Sequence, residues 1–158
     1  MPHLLFICTA NICRSPVAEG LARQRLASNG VVDWTVESAG TWAMHRRAAA
    51  ENSLALLAER QIDMTGHRSQ MVDEVLLARA DLVLCMAQGH VEALQAEFPQ
   101  HAHKIYLLSA MTGRAYSVAD PYGQDIGAYR RMVKEVDDLI NTGWPNIVTL
   151  AQENTAGR

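Results

Sequence analysis

Leu4-Leu5-Phe6-Ile7-Cys8-Thr9-Ala10-Asn11-Ile12-Cys13-Arg14-Ser15-Pro16 decides the fold of this 158-residue chain. Four apolar residues in succession, Leu4 to Ile7, predict a strand buried on both faces, the kind that fills the middle of a parallel sheet. Helical spacing begins at Ser15. Pro16 suits the first helical position through its fixed φ, and Ser15 is placed to cap the helix. Strand, short loop and helix N-terminus thus follow one another directly. Such a loop can curl so that successive backbone N–H groups point inward, while the helix adds the positive end of its dipole. The product is a cradle for the oxygens of an anion.

Outward from this stretch, apolar runs at Trp34 to Glu37, Leu82 to Met86 and Ile105 to Leu108 predict three further strands. Helical spacing recurs over Ser15 to Ala27, about Ala48 to Arg60, Gln88 to Phe98 and Asp125 to Asn141. In the last of these, Ile126, Tyr129, Val133, Val136 and Ile140 share one stripe. Strands alternating with helices of this length imply right-handed crossovers. The predicted class is α/β, a four-stranded parallel sheet flanked by helices, with the phosphate-sized cradle after the first strand. Residues 1–158 read as one domain with a loose polar tail from about Gln152. Ser109 to Gly123 is the longest irregular stretch, of a length that in a compact domain usually carries function.

The composition, 49% apolar and 20% charged with 10 Gly and 5 Pro, excludes a disordered, collagen-like or disulfide-stapled chain. A net charge of -3 gives no basic field for nucleic acid or an anionic membrane, so any phosphate recognition must come from local donors. The apolar run near Met1 is too short for a signal peptide or a membrane span, and the expected location is cytoplasmic. Cys8, Cys13 and Cys85 are an odd set with no zinc-ligand spacing, which fits reduced thiols. His3, His45, His90, His101 and His103 show no ligand spacing either, so neither a metal nor a cofactor is expected. Met71, Met86, Met111 and Met132 read as core or loop residues. Oligomeric state is left open by the sequence.

Chemistry gathers around the cradle. Cys8 stands at the strand end, on its rim, where inward N–H groups would favour a thiolate and so a nucleophile. Arg14 supplies a planar fork for two oxygens of a phosphoryl group, and Ser15 a hydroxyl for the sulfur. A phosphate ester also needs its leaving oxygen protonated. Asp120 is the candidate acid, because Pro121 holds the residue before it extended. Tyr122 and Trp42 are candidate aromatic walls for the substrate. Taken alone, a cysteine at a strand end is a small hydrophobe and Asp120-Pro121-Tyr122-Gly123 a turn; together they make nucleophile and acid.

Phe6 to Glu19 resembles the signature of the low-molecular-weight protein tyrosine phosphatases. The resemblance continues in Glu37 to Thr41, Gly66-His67, Ala80 to Met86 and Asp120-Pro121-Tyr122, in register from about residue 3 to 143. It implies hydrolysis of phosphotyrosine monoesters in phosphorylated proteins or peptides through a cysteinyl-phosphate on Cys8, with Asp120 as acid. It also implies phosphate held by Arg14 and the loop Thr9, Ala10, Asn11, Ile12 and Cys13 with Ser15, and that loop supported by Asn11, Ser15, Ser38 and His67. The family's tryptophan usually falls at the position of Met44, so Trp42 departs from its pattern. Three alternatives differ in small features. Protein arginine phosphatases usually carry threonine where this chain has Ile12, although Trp42 and the run after Asp120 lean toward them. Arsenate reductases of this type need further cysteines downstream, where only Cys85 is present. An idle phosphate-binding module would not need Cys8, Arg14 and Asp120 together. Cys13, in the same loop, is the expected partner of Cys8 in a peroxide-induced disulfide.

Overall fold

The computed structural model describes residues 1–158. Strands β1 (His3–Cys8), β2 (Thr35–Gly40), β3 (Leu82–Cys85) and β4 (Ile105–Leu107) form one parallel sheet in the order β2-β1-β3-β4. β1 is central because each of its residues is buried. Leu4, Phe6 and Cys8 pack into one apolar cluster and Leu5 and Ile7 into another, the alternation that a strand imposes. Pairing runs from His3 opposite Thr35 to Cys8 opposite Gly40 on one side, and from Leu4 opposite Leu82 on the other.

Helices cover both faces. On one lie α1 (Arg14–Ser28), α2 (Glu51–Glu59) and α5 (Ile126–Ala156), whose Val17, Leu57 and Val136 join Phe6. On the other lie α3 (Glu74–Arg79) and α4 (Gln88–Glu97), whose Leu77 and Leu94 join Leu5 and Ile7. From β1 the chain moves outward to β2, then crosses to β3 on the opposite side. The reversal opens a crevice at the carboxyl ends of β1 and β3, where open α/β sheets bind their ligands.

All four predicted strands are present, β2 running on to Gly40 instead of ending at Glu37, and the larger differences lie in the helices. α1 begins one residue early, at Arg14, with Cys13 as its N-cap. Ser15 is therefore not the cap, and its hydroxyl is committed to Cys8 and Asn11 instead. The six-residue α3 was not predicted, being too short to show a period. Its signal was Asp73, whose carboxylate accepts from the Leu76 N–H at 2.8 Å. α5 continues past Pro145 to Ala156, well beyond Asn141. An interior proline costs a helix about 3 kcal/mol. Packing offsets this: Ile147 and Ala151 are fully buried, Trp144 stacks on Trp34 with ring centroids 6.4 Å apart, and Gly143 lets the helix lie against Met111. The tail expected to be loose from Gln152 is thus helical, and it is tied down where Asn154 donates to the Asp81 carbonyl and Arg158 pairs with the Asp81 carboxylate. Ile126, placed on the buried stripe, is exposed because it begins the helix outside the core, whereas Tyr129, Val133, Val136 and Ile140 are buried as expected. No helix is long and apolar enough to cross a membrane.

Candidate active site

Between the end of β1 and the start of α1, the loop Thr9–Cys13 turns its carbonyls outward and its amides inward. Thr41, Trp42 and Ala50 donate backbone N–H groups to the carbonyls of Cys8, Thr9 and Ile12 at 3.0, 2.9 and 2.8 Å. His67 Nε2 donates to the Asn11 carbonyl at 2.7 Å and Ser53 to that of Cys13 at 3.2 Å. No backbone N–H from Thr9 to Cys13 donates to another group of the protein, although Asn11, Ile12 and Cys13 are buried. Buried amides without partners are rare, and consecutive ones mark an anion site.

The curl requires Asn11 to adopt φ 58°, a left-handed conformation that costs a non-glycine residue about 1 kcal/mol or more. Its side chain holds it there. The amide nitrogen donates to Ser15 Oγ at 2.8 Å and Ser38 Oγ at 2.9 Å, and the amide oxygen accepts from the Gln70 N–H at 3.0 Å. Because Ser15 Oγ accepts from Asn11, its own proton is free for Cys8 Sγ, 3.0 Å away.

Arg14 is buried behind the loop. Its Nη1 donates to the Val118 carbonyl at 2.9 Å, and its Nη2 lies 3.6 Å from Asp120 Oδ2. Its Nε is buried without a partner. Nη2 also donates to Thr9 Oγ1 at 3.3 Å, so one guanidinium touches both the loop and the segment that carries Asp120. Asp120 is half exposed and accepts the Tyr122 N–H at 3.1 Å. A cleft of about 690 Å³ joins Cys8, Arg14, Asp120, Ile12, Trp42 and Tyr122. A hollow of about 780 Å³ at the other end of the strands, beside His3, Glu37 and Arg79, is lined by no cysteine or serine.

Thr9, Ala10, Ile12 and Cys13 line the cleft. Asn11 and Ser15 do not line it; they are wholly buried and shape the loop from behind. The supports Ser38 and His67 both reach Asn11. Cys13 turns its thiol to Tyr129 Oη at 3.4 Å, and burial pushes that thiol up to about 11. Trp42 reaches the rim at 80% exposure, together with Met44, Met71 and Arg47. Met71, expected in core or loop, is a half-exposed rim residue. Sequence reasoning missed Val118, Gln70, Glu19, Arg47 and His90. Glu19 accepts from Ser38 Oγ at 3.3 Å and lies 3.7 Å from His67 Nδ1. His90 Nε2 lies 2.9 Å from Thr9 Oγ1. These contacts join residues far apart in the chain, and no local pattern announces them. No group of three or more His, Cys, Asp or Glu side chains is arranged to hold a metal ion.

Residues 3–153 match the model of the low molecular weight phosphotyrosine protein phosphatase family. The chain is 33% identical to the protein-arginine-phosphatase of Bacillus subtilis over 138 residues, covering 87% of this chain and 91% of that one. It is 31% identical to the low molecular weight protein-tyrosine-phosphatase PtpB of Staphylococcus haemolyticus, covering 87% and 94%. The crystal structure of a low molecular weight protein tyrosine phosphatase from T. tengcongensis superposes with a TM-score of 0.85 at 36% identity, covering 90% and 97%.

Proposed function

Because the chain belongs to the low molecular weight phosphotyrosine protein phosphatase family, we propose that it hydrolyses phosphotyrosine in phosphorylated proteins or peptides, with Cys8 as nucleophile, Arg14 as phosphate clamp and Asp120 as general acid. The observation that carries this reading is the run of unpartnered amides from Thr9 to Cys13, in the loop that lines one cleft with Cys8. They are fixed in place before substrate arrives, so stabilising charge on the phosphoryl oxygens costs little reorganisation.

Cys8 attacks phosphorus as the thiolate, its charge eased by the Ser15 hydroxyl. The phosphorus–oxygen bond to the tyrosine breaks as Asp120 gives its proton to the departing oxygen. Asp120, now a carboxylate, takes a proton from water, which attacks the cysteinyl-phosphate and releases inorganic phosphate and the Cys8 thiolate. Arg14 follows the equatorial oxygens through both steps. Ile12 closes the pocket wall with an apolar side chain, which suits a phenyl ring. Trp42 and Tyr122 flank the mouth. The three free thiols suit a reducing compartment such as the cytoplasm.

Purified protein tests the reading directly. Cys8→Ser should abolish turnover of p-nitrophenyl phosphate while vanadate still binds; residual activity above about one percent points to another nucleophile. Phosphotyrosine and phosphoarginine peptides should be compared at equal concentration. Faster turnover of phosphoarginine would transfer the chain to the arginine-phosphatase reading.

A further inference from the structure

We propose that His90 is a positioning residue of this site, holding the Thr9 hydroxyl so that it donates its proton into the catalytic cleft as an additional hydrogen bond to the bound phosphoryl group. The inference rests on the phosphatase reading of the cleft and adds a donor that the loop amides and Arg14 do not provide.

Counting protons leads to it. His90 is the third residue of α4 and is buried. Its Nδ1 lies 3.1 Å from the Ala87 N–H, which can only donate, so Nδ1 carries no proton. The contact is a helix-capping bond made backward along the chain. A neutral ring must then carry its proton on Nε2, and Nε2 lies 2.9 Å from Thr9 Oγ1. Arg14 Nη2 donates to the same oxygen at 3.3 Å. Two incoming donors fill both lone pairs of the Thr9 hydroxyl, leaving it nothing to do but donate. The protein offers that proton no acceptor, and Thr9 lines the cleft beside Cys8 and Arg14. An anionic oxygen held there is the acceptor that completes the set.

The groups around His90 keep it in this form. Burial and the Arg14 charge lower it to about 4, against the opposing pull of Asp120, so the ring is neutral at and around neutral pH. Had the ring carried its proton on Nδ1, two N–H groups would face each other at Ala87. The main chain of α4 thus sets the tautomer, and the tautomer sets the direction of a hydroxyl on another element.

The experiment is a double-mutant cycle on the whole protein with p-nitrophenyl phosphate as substrate and vanadate as the probe of the transition state. Thr9→Val and His90→Ala should each lower kcat/KM, and weaken vanadate, by about tenfold, the effect of one hydrogen bond to a charged group. The double variant should lose about tenfold as well, because His90 acts only through the hydroxyl. Losses that multiply to about a hundredfold, or a His90→Ala variant with wild-type kcat/KM and vanadate affinity, overturn the proposal. Should His90→Ala fail to fold, Thr9→Val and Thr9→Ser decide: the serine must keep vanadate affinity and the valine lose it, and any other pattern overturns the role. ¹⁵N NMR of the imidazole at neutral pH supplies a direct readout, since a proton on Nδ1 contradicts the assignment. All these variants retain Cys8, so their turnover separates a failure of this inference from a failure of the phosphatase reading.

Discussion

Replacing Gly40 with alanine should lower kcat by about two orders of magnitude through a displacement of the anion loop. Gly40 ends β2, opposite Cys8 in the sheet. A Cβ built on it falls inside 3.0 Å of the Thr9 carbonyl oxygen, and lies 3.1 Å from the Asn11 nitrogen and 3.0 Å from Ala43 Cβ. The first two neighbours are main chain of the loop itself, which no side-chain rotation can clear. Atoms in good contact sit at about 3.5 Å, so the loop must retreat by about 1 Å. The Thr9 carbonyl is the one that Trp42 holds at 2.9 Å, and moving it turns the inward amides off their oxygens. Misplacement of that size costs a catalysed reaction about a hundredfold, while overpacking costs about 1–3 kcal/mol of stability. Steady-state kinetics with p-nitrophenyl phosphate, beside thermal unfolding, measure both. A variant within about threefold of the wild type in kcat would show that the loop tolerates displacement and that its shape does not set the rate.

Asp120→Asn should slow phenyl phosphate by about a hundredfold or more and p-nitrophenyl phosphate far less, since only a basic leaving oxygen needs the proton. Equal slowing of all leaving groups would place the acid elsewhere. Stability should be level above pH 6.5 and fall as pH drops toward 4, because the unfolded chain takes a proton on His90 that the folded state refuses; the loss is at most about 3 kcal/mol. Urea unfolding at pH 7, 5 and 4 should show a shallower dependence for His90→Gln. Peroxide should oxidise Cys8 to a sulfenic acid; the Cys13 sulfur then attacks the Cys8 sulfur, forming a disulfide as the sulfenic hydroxyl leaves as water, and dithiothreitol should reduce the bond and restore activity. If Cys13→Ala recovers as fully as the wild type, Cys13 only packs against Tyr129.

What the sequence made legible was local. Leu4 to Ile7 announce a central strand, and a cysteine, a short loop and a helix start in immediate succession announce an anion site. Ser15 was misplaced as a cap because capping is a local rule, whereas its hydroxyl answers to Cys8 and to Asn11. The left-handed Asn11 rests on residues 38, 67 and 70, whose separation along the chain hides the arrangement from any window. α5 runs through a proline because its later turns are packed against other elements. His90 sits in an ordinary helical pattern, and only the proximity of Thr9 gives it meaning.

The rim of the cleft divides its labour between main chain and side chain. Thr41 and Trp42 hold the anion loop through their backbone amides, and the Arg46 and Arg47 amides bind the Ser69 carbonyl and hydroxyl. The side chains of Trp42, Met44, Met71 and Tyr122 are 80%, 65%, 46% and 60% exposed. Mutational drift at these four positions therefore leaves the scaffold of the chemistry untouched. A lineage can exchange one clientele of substrates for another by rewriting the rim, and selection can act on preference and on turnover as nearly separate traits.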